Sequence, residues 1–217
     1  MTTVAVVPVK PLRRGKSRLA SVLSVQARAR INRYLLTHTL EVLRQIPEIE
    51  RVLVVSRDSA VLALAREYGA HTLQERGDLQ LNDALQRAMT LLRAWAVSAA
   101  LVLPADLPLL QKGDVQALLA ALPPPPAVVI APNASGNGTN ALVMSPPGLI
   151  GFAYGADSFA RHLASAQQAN ARVAVVERPG LQADLDYPHD LAMLQDVFPE
   201  YAARGQNLSA ADNPPSL

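Results

Sequence analysis

The chain contains no cysteine, and this absence restricts the chemistry that it can perform. Disulfide bonds, thiolate-bound metals and a cysteine nucleophile are all excluded. Aromatic residues make up only 4% of the 217 residues, so few side chains can stack on nucleic-acid bases. No run of about 18 apolar residues occurs, and the apolar start is too short for a signal sequence. These absences favour a cytoplasmic protein that binds neither membrane nor nucleic acid.

Acidic residues are missing from the first forty positions. The first one is Glu41, whereas eight lysines and arginines precede it, although the net charge of the whole chain is only +2. Residues 10–18 hold five of these cations and directly follow an apolar, β-branched run at residues 4–9, which is typical of a buried strand. Ligands of α/β proteins bind where strands end. The basic segment therefore predicts a site for an anion, and a polyphosphate suits its charge.

Two other interpretations of residues 10–18 stay open at this point. The segment can be a solvated basic turn, or an arm of a non-catalytic module that binds RNA. A Walker phosphate-binding loop is excluded. The sequence GKS at residues 15–17 imitates the end of that loop, but the loop needs a glycine where this chain has Lys10.

Apolar strands and amphipathic helices alternate along almost the whole chain. Residues 24–46 have helical spacing with Ser24 as the predicted N-cap, and residues 51–56 form a second buried strand. This alternation predicts an α/β protein with a mostly parallel sheet between two helical layers. We expect one domain over residues 1–198 and a flexible tail over residues 199–217.

Three local predictions follow from the same patterns. Residues 79–95 are expected to form a loop and then a helix, capped by Asn82 or Asp83. Residues 173–177 are expected to form a last core strand. The two strands that flank the GNGTNAL sequence at residues 136–142 are candidates for an antiparallel insertion.

Three aspartates are candidate metal ligands. Asp106 directly follows a buried strand, at the edge where the basic segment is also expected. Asp184 and Asp186 are two positions apart, which in an extended segment places both carboxylates on one face. Magnesium prefers such oxygen ligands together with phosphate oxygens and water. The alternatives are a helix-capping role for Asp106 and a solvated acidic turn for the other two.

Two further segments have residues suited to hold a small anion. The glycines before Thr139 and Asn140 would let the backbone approach a ligand, although a hairpin turn explains them equally well. Residues 154–162 (YGADSFARH) place the start of a helix near Ser158, where free backbone N–H groups bind carboxylate or phosphate. Ordinary capping is the alternative there, with His162 as a surface histidine.

These motifs occur together and in a fixed order along the chain. The sequences VPVKPLRRGKSRL, LN-x-AL, ADLP, GTNAL, YG-x-DSF-x-x-H and DLD-x-P-x-DL follow one another from the start to about Leu194. The pattern resembles the 2-phospho-L-lactate guanylyltransferase family, whose bacterial members also act on phosphoenolpyruvate in coenzyme F-420 biosynthesis. The resemblance implies a Rossmann-like nucleotidyltransferase fold of the GT-A-like type, and GMP transfer from GTP with release of pyrophosphate.

The resemblance also implies roles for individual residues. It implies Mg²⁺ as the cofactor, and GTP and a small phosphorylated carboxylic acid as substrates. Catalysis is assigned to Lys16 and Asp106, and the Mg²⁺ ligands are Asp106, Asp184 and Asp186. The acceptor acid is assigned to Thr139, Gly155 and Ser158, and the nucleotide to Lys10, Arg13, Lys16 and Asn82.

Some expectations extend beyond the matched motifs. Tyr187 and Asn137 depart from the commoner pattern of the family, and Tyr187 lies beside the metal-binding acids. The lysine-poor, alanine- and leucine-rich composition suits a bacterial protein and so favours phosphoenolpyruvate as acceptor. A homodimer and transfer of the product to the downstream deazaflavin transferase are further expectations. The alternative enzyme is a cytidylyl- or uridylyltransferase for another cofactor or a sugar phosphate.

Overall fold

A computed structural model describes residues 2–75 and 80–202. The strands are β1 (Thr3–Pro8), β2 (Ile49–Ser56), β3 (His71–Gln74), β4 (Ala99–Val102), β5 (Ala127–Pro132), β6 (Thr139–Ser145) and β7 (Arg172–Val175). The α-helices are α1 (Val25–Arg44), α2 (Ser59–Glu67), α3 (Leu81–Ala94), α4 (Lys112–Ala120), α5 (Ser158–Gln168) and α6 (Pro179–Gln182). Two 3-10 helices span Ser17–Ser21 and Pro188–Leu194.

The strands form one seven-stranded sheet in the order β3-β2-β1-β4-β6-β5-β7. Neighbouring strands run parallel except at β6, which is antiparallel to both β4 and β5. The antiparallel insertion is therefore a single reversed strand. Strands β1 and β4 are adjacent and parallel, with Val6 opposite Val102. The loops that follow these two strands consequently leave the sheet side by side.

Helices cover both faces of the sheet. The side chains of Ala5 and Val7 pack in one core with α1, α2 and α4, whereas Val4 and Val6 pack in a second core with α3 and α5. The strands are buried on both faces, which explains why their sequences are continuously apolar rather than alternating. The predicted three-layer α/β architecture with a mostly parallel sheet is confirmed.

A third, smaller core joins the two ends of the described chain. Leu19 from the first 3-10 helix and Ile31 from α1 pack against Leu185 and Leu191. Leu19 and Leu185 are fully buried, and each such side chain contributes about 1.5–3 kcal/mol. This cluster places residues 184–186 beside the basic segment.

Several local predictions are confirmed and others are wrong. Helix α1 starts after Ser24, whose hydroxyl accepts a hydrogen bond from Ala27 N at 3.2 Å as predicted. Helix α3 is capped by Gln80 instead, so neither Asn82 nor Asp83 is its cap. Residue 79, where this loop was expected to begin, lies outside the described residues.

Strand β7 differs from the expected core strand. It lies at the edge of the sheet, and its side chains are largely exposed, including Val173 and Val175. An apolar run alone does not distinguish an edge strand from a central one, because both contain β-branched residues.

The end of the described chain folds back on the third core. Tyr201 packs in that core, and the next residue, Ala202, is also buried. The remainder of the predicted tail, residues 203–217, lies outside the described residues, and the domain boundary at residue 198 stays a prediction. None of the helices in residues 2–75 and 80–202 is long and apolar enough to cross a membrane.

Candidate active site

The loop after β1 places one ammonium group between two carboxylates. Lys16 Nζ lies 3.2 Å from Asp106 Oδ2 and 3.5 Å from Asp186 Oδ1, and the lysine side chain is only 8% exposed. Its backbone is left-handed, with φ at 56°. A non-glycine residue in this region costs on the order of 1 kcal/mol. The surrounding contacts therefore have to hold the loop in this conformation.

Polar side chains from the neighbouring helices α1 and α2 and their ends supply these contacts. Asn32 Nδ2 donates to the carbonyl oxygen of Leu12 at 2.7 Å, and Leu12 N donates to Asp58 Oδ2 at 3.0 Å. Arg28 Nη1 donates to the carbonyl oxygen of Lys16 at 3.4 Å. The loop is thus fixed through its backbone, which leaves its side chains available for other contacts.

Two other cations of the same loop are not paired with the carboxylates. Lys10 and Arg13 are exposed, and neither forms an ion pair with any residue in the described part of the chain. The structure therefore brings Lys16 into the acidic group but not Lys10 or Arg13. Their assignment to the nucleotide stays a prediction.

The acidic segment is held against Asp106 by its backbone. Leu185 N donates to the carbonyl oxygen of Asp106 at 3.0 Å. Asp190 Oδ2 accepts hydrogen bonds from the N–H groups of Asp186 and Tyr187 at 2.8 and 2.7 Å. Asp190 belongs to the DLD-x-P-x-DL sequence, but the sequence alone gave it no role. Here it fixes the orientation of Asp186.

Asp184 lies in a different environment from its neighbours. Burial raises the pKa of its carboxyl above the ordinary value, and the negative charges of Asp106 and Asp186 raise it further. Asn140 Nδ2, which lies 3.3 Å from Asp184 Oδ1, acts in the opposite direction. Three carboxylates therefore repel one another in this region, and a cation would relieve the repulsion.

Arg18 partly neutralises the same group. Its Nη1 lies 2.6 Å from Asp186 Oδ2, and its guanidinium stacks over the ring of Tyr187, 4.9 Å from the centroid. The ring of His189 also stacks on the Tyr187 ring, with the two ring centroids 5.6 Å apart. Arg18 and Tyr187 are both exposed, so these contacts add little stability. The departure at Tyr187 thus creates a stacking partner for an arginine beside the acids.

The donor chemistry of the acids suits magnesium. Within residues 2–75 and 80–202, no three acidic, histidine or cysteine side chains form a group that could hold a metal ion alone. Magnesium usually takes only one or two protein carboxylates and completes its shell with phosphate oxygens and water. Such a set would consist of Asp106 and one of the other two acids. The assignment of the three aspartates as ligands stays a prediction.

A second polar group surrounds the start of β6 and of α5. Thr139 Oγ1 lies 3.0 Å from His162 Nδ1, and Ala153 N lies 3.0 Å from His162 Nε2. The alternative that His162 is a surface histidine is wrong, because its side chain is fully buried. Burial, with a smaller effect of the nearby Arg161, lowers the pKa of His162 to about 4. The imidazole is therefore neutral near pH 7.

The remaining predicted residues lie in the loop that leads into α5, begin that helix or contact the loop. Gly155 has a φ of 123°, a conformation that favours glycine, and the buried Ser158 begins the helix. The side-chain amide of Asn82 binds the backbone of Tyr154 on both sides. Its Oδ1 accepts from Tyr154 N at 2.9 Å, and its Nδ2 donates to the carbonyl oxygen at 3.3 Å. Asn82 thus supports this loop, and its contact with guanine stays a prediction.

Two features connect the acidic group with this second group. Thr139 and Asn140 are consecutive in β6, so their side chains point to opposite faces of the sheet. The Thr139 side chain contacts His162, and the Asn140 side chain contacts Asp184. The Tyr154 hydroxyl is buried without a hydrogen-bond partner among the described residues, and burial and the charge of Asp106 raise its pKa. The predicted metal and acceptor residues are therefore linked through two consecutive residues of one strand.

Sequence reasoning missed the residues that support this site. His162 and Asp190 belong to the motifs YG-x-DSF-x-x-H and DLD-x-P-x-DL, so the sequence indicates that they matter. Their roles, however, depend on the groups that their side chains contact in the folded chain. Asn32 and Arg28 lie within an amphipathic helix, where nothing in the sequence separates them from ordinary polar positions.

The chain is similar to proteins of known activity over most of its length. A family model described as "Guanylyl transferase CofC like" matches residues 3–196. A protein of Rubrobacter xylanophilus named phosphoenolpyruvate guanylyltransferase is 45% identical, over 90% of this chain and 94% of the relative. A protein of Methanothermobacter thermautotrophicus named 2-phospho-L-lactate guanylyltransferase is 34% identical, over 88% of this chain and 83% of the relative.

Solved structures of other nucleotidyltransferases share the fold. A nucleotidyl transferase from Methanothermobacter thermautotrophicus superposes with a TM-score of 0.64 at 16% identity, covering 92% of this chain and 98% of that one. A 4-diphosphocytidyl-2C-methyl-D-erythritol synthase gives 0.63 at 12% identity, covering 89% and 97%. The predicted nucleotidyltransferase fold class is confirmed. Identities this low speak for the fold alone.

Proposed function

The chain belongs to the family of CofC-like guanylyl transferases, and on that premise we propose that it transfers GMP from GTP to phosphoenolpyruvate or 2-phospho-L-lactate in coenzyme F-420 biosynthesis. The observation that carries this proposal is the position of Lys16 between two carboxylates, together with the separate polar group around Thr139. An acidic site for a cation and a polar site for an anion suit the joining of two phosphate-bearing substrates.

The reaction needs positioning and charge neutralisation rather than a covalent intermediate. A phosphate oxygen of the acceptor attacks the α-phosphorus of GTP, and the bond to the bridging oxygen of pyrophosphate breaks in line. No side chain becomes attached to the substrate, which is consistent with a chain without cysteine. In this proposal the Lys16 ammonium neutralises charge on the reacting phosphates, and Lys10 and Arg13 bind the outer phosphates.

The acidic group is the proposed site for magnesium. Asp106, Asp184 and Asp186 would hold the ion through their carboxylate oxygens. When bound, Mg²⁺ would neutralise phosphate oxygens and so increase the reactivity of the α-phosphorus. Burial and the neighbouring charges of Asp106 and Asp186 raise the pKa of Asp184, and a bound cation would stabilise its charged form.

The second polar group is the proposed acceptor site. Thr139, the Gly155 backbone and the start of α5 at Ser158 offer hydrogen-bond donors to a carboxylate or phosphate. The guanidinium of Arg161 lies beside Gly155, since a Cβ added there would be 3.3 Å from its Nη2. Arg161 forms no ion pair with a described residue, so its positive charge is available to an acidic acceptor.

The proposal is tested by measuring pyrophosphate release with each of GTP, CTP, UTP and ATP, in the presence of Mg²⁺ and phosphoenolpyruvate or 2-phospho-L-lactate. We expect turnover with GTP and its loss when Mg²⁺ is removed by a chelator. Turnover with CTP or UTP and none with GTP would replace this proposal by a cytidylyl- or uridylyltransferase. A cytoplasmic location, a homodimer and transfer of the product to the deazaflavin transferase remain expectations.

A further inference from the structure

His162 is an unusual residue for its position. It lies on α5 and is fully buried, yet both of its ring nitrogens meet polar atoms of other segments. Nδ1 is 3.0 Å from Thr139 Oγ1, at the start of β6, and Nε2 is 3.0 Å from the backbone nitrogen of Ala153. A single imidazole therefore joins the strand that carries Thr139 to the loop that leads to Gly155.

The partners of the ring determine where its proton lies. A backbone N–H group can only donate, so Nε2 has to accept the hydrogen bond from Ala153 and carries no proton. A neutral imidazole then has its proton on Nδ1. The lowered pKa of His162 agrees with a neutral ring. Nδ1–H consequently donates to Thr139 Oγ1, and the threonine oxygen is the acceptor.

This polarity leaves the Thr139 hydroxyl with an unused donor. A hydroxyl group has one proton to donate, and Thr139 Oγ1 donates to none of the residues that the structure describes. Thr139 is itself nearly buried, at 5% exposure, so an unused donor here is costly without a ligand. The unused proton therefore points to an acceptor atom on a bound molecule.

We propose that His162 is a positioning residue of the acceptor site, which holds the Thr139 hydroxyl as a donor to the phosphate or carboxylate of the acceptor acid. The same ring ties Ala153, and so the loop with Gly155, to Thr139. This inference rests on the proposed function, because it takes the polar group around Thr139 as the acceptor site. His162 touches no reacting atom and acts through its two hydrogen-bond partners.

A buried histidine can also serve packing alone, and two variants separate the two roles. His162→Phe keeps the size and shape of the ring but removes both nitrogens. His162→Asn is much smaller, but its Nδ2 can donate to Thr139 Oγ1 as Nδ1 does. Both variants lose the acceptor for Ala153 N–H, so the comparison isolates the donor to Thr139 from the volume of the side chain.

We expect opposite orders for stability and for acceptor binding. The melting temperature of His162→Phe should equal or exceed that of His162→Asn, because the phenyl ring fills the site. The KM for the acceptor should rise about tenfold in His162→Phe and clearly less in His162→Asn. The KM for GTP should change by less than about twofold in both. Adding Thr139→Val to His162→Phe should raise the acceptor KM little further.

Each other result overturns the inference. If His162→Phe has an acceptor KM equal to or lower than that of His162→Asn, the ring only packs. If neither variant folds, nitrogen-15 NMR of the wild-type imidazole decides the question, because a proton on Nε2 contradicts the polarity and a proton on Nδ1 supports it. A wild-type protein that transfers GMP to none of the phospho-acids would overturn the proposed function instead.

Discussion

The Lys16 ammonium and the Asp106 carboxylate, ninety positions apart in the chain, form an ion pair of 3.2 Å where two neighbouring parallel strands end. Strands β1 and β4 bring them together, because the loops after adjacent parallel strands leave the sheet at the same edge. The pair places a fixed positive charge against a carboxylate that remains one-third exposed. The carboxylate is thus accessible to a ligand, whereas the ammonium is nearly buried behind it.

The first prediction concerns the negative charge of Asp106. Asp106→Asn keeps the shape of the side chain and an oxygen for Lys16, but it removes a charge that the proposed metal requires. We expect kcat to fall at least about 100-fold. Because the ion pair is partly exposed, the free energy of unfolding should change by only about 0.5 kcal/mol. Steady-state pyrophosphate release and urea denaturation measure the two effects.

Asp196→Asn is the matched control for this variant. Asp196 is exposed and lies outside the site, so the same chemical change should leave kcat and stability as they are in the wild type. Full activity of Asp106→Asn would contradict its assignment to the site. A large loss of stability in Asp106→Asn would show a structural role instead.

The second prediction concerns the close contact between Gly15 and Asn32. A Cβ at Gly15 would lie 2.6 Å from Asn32 Nδ2, which is already bonded to the carbonyl oxygen of Leu12 at 2.7 Å. Gly15→Ala should therefore break that hydrogen bond and shift the loop that carries Lys16. We expect a loss of about 1–2 kcal/mol in the free energy of unfolding and a higher KM for GTP.

Gly113→Ala provides the comparison. The nearest atom to a Cβ there is Arg178 Nη2 at 3.9 Å, an ordinary contact, and Gly113 lies within α4. Alanine should therefore stabilise the protein or leave it unchanged. If Gly15→Ala were as stable as Gly113→Ala, the close packing of the loop on α1 would be refuted.

Much of this site could be predicted because its residues are close in sequence to the ends of strands. The apolar run before Lys16 and the position of Asp106 after another buried strand place both at the same edge of a parallel sheet. The predictions of the Ser24 cap and of the paired acids at 184 and 186 also depend only on residues that are close in sequence. Each of these predictions needs only the period of a strand or a helix and a neighbouring polar residue.

The rest depends on long-range packing that periodicity does not contain. Strand β7 has the composition of a core strand, but its edge position follows from the order of all seven strands. Asn82 is a residue type that often caps helices, but its side-chain amide forms hydrogen bonds with the backbone of Tyr154 instead. The left-handed backbone of Lys16 follows from contacts with Asn32, Asp58 and Arg28 rather than from its own preference.

The third prediction is a pH dependence of stability that comes from His162. Its pKa is about 4 in the folded protein and 6.5 in the ordinary state of histidine, so between these values only the unfolded chain binds the proton. The free energy of unfolding should therefore decrease as the pH falls from 6.5 to 4. Over the whole interval between the two pKa values, the loss amounts to about 3 kcal/mol.

The contribution of His162 is isolated by a difference measurement. The carboxylates also titrate in this range, but they are the same in the wild type and in His162→Phe. The wild type minus the variant, measured by urea denaturation at a series of pH values, should lose stability on acidification. A difference that does not vary with pH would contradict a neutral, buried imidazole.

The last prediction concerns which acid receives GMP. Phosphoenolpyruvate and 2-phospho-L-lactate both carry a phosphate and a carboxylate, but the carbon that bears the phosphate is flat in the first and tetrahedral in the second. The rings of Phe152 and Tyr154 stack with centroids 6.3 Å apart, and Tyr154 packs edge-on against His162 at 5.0 Å. Because His162 also contacts Thr139, these rings border the proposed acceptor site. A flat enolpyruvyl group should pack on an aromatic ring more closely than a tetrahedral centre.

We therefore expect phosphoenolpyruvate to be preferred, by about 1–3 kcal/mol, which corresponds to a ratio of about 5 to 150 in kcat/KM. With GTP, Mg²⁺ and equimolar acids, mass spectrometry should find mainly the guanylylated enolpyruvyl product. Phe152→Leu, which removes one ring of the stack, should lower this ratio while both acids remain substrates. A clear excess of the lactyl product in the wild type would refute the preference for the flat acid, but GMP transfer itself would stand, since both products contain GMP.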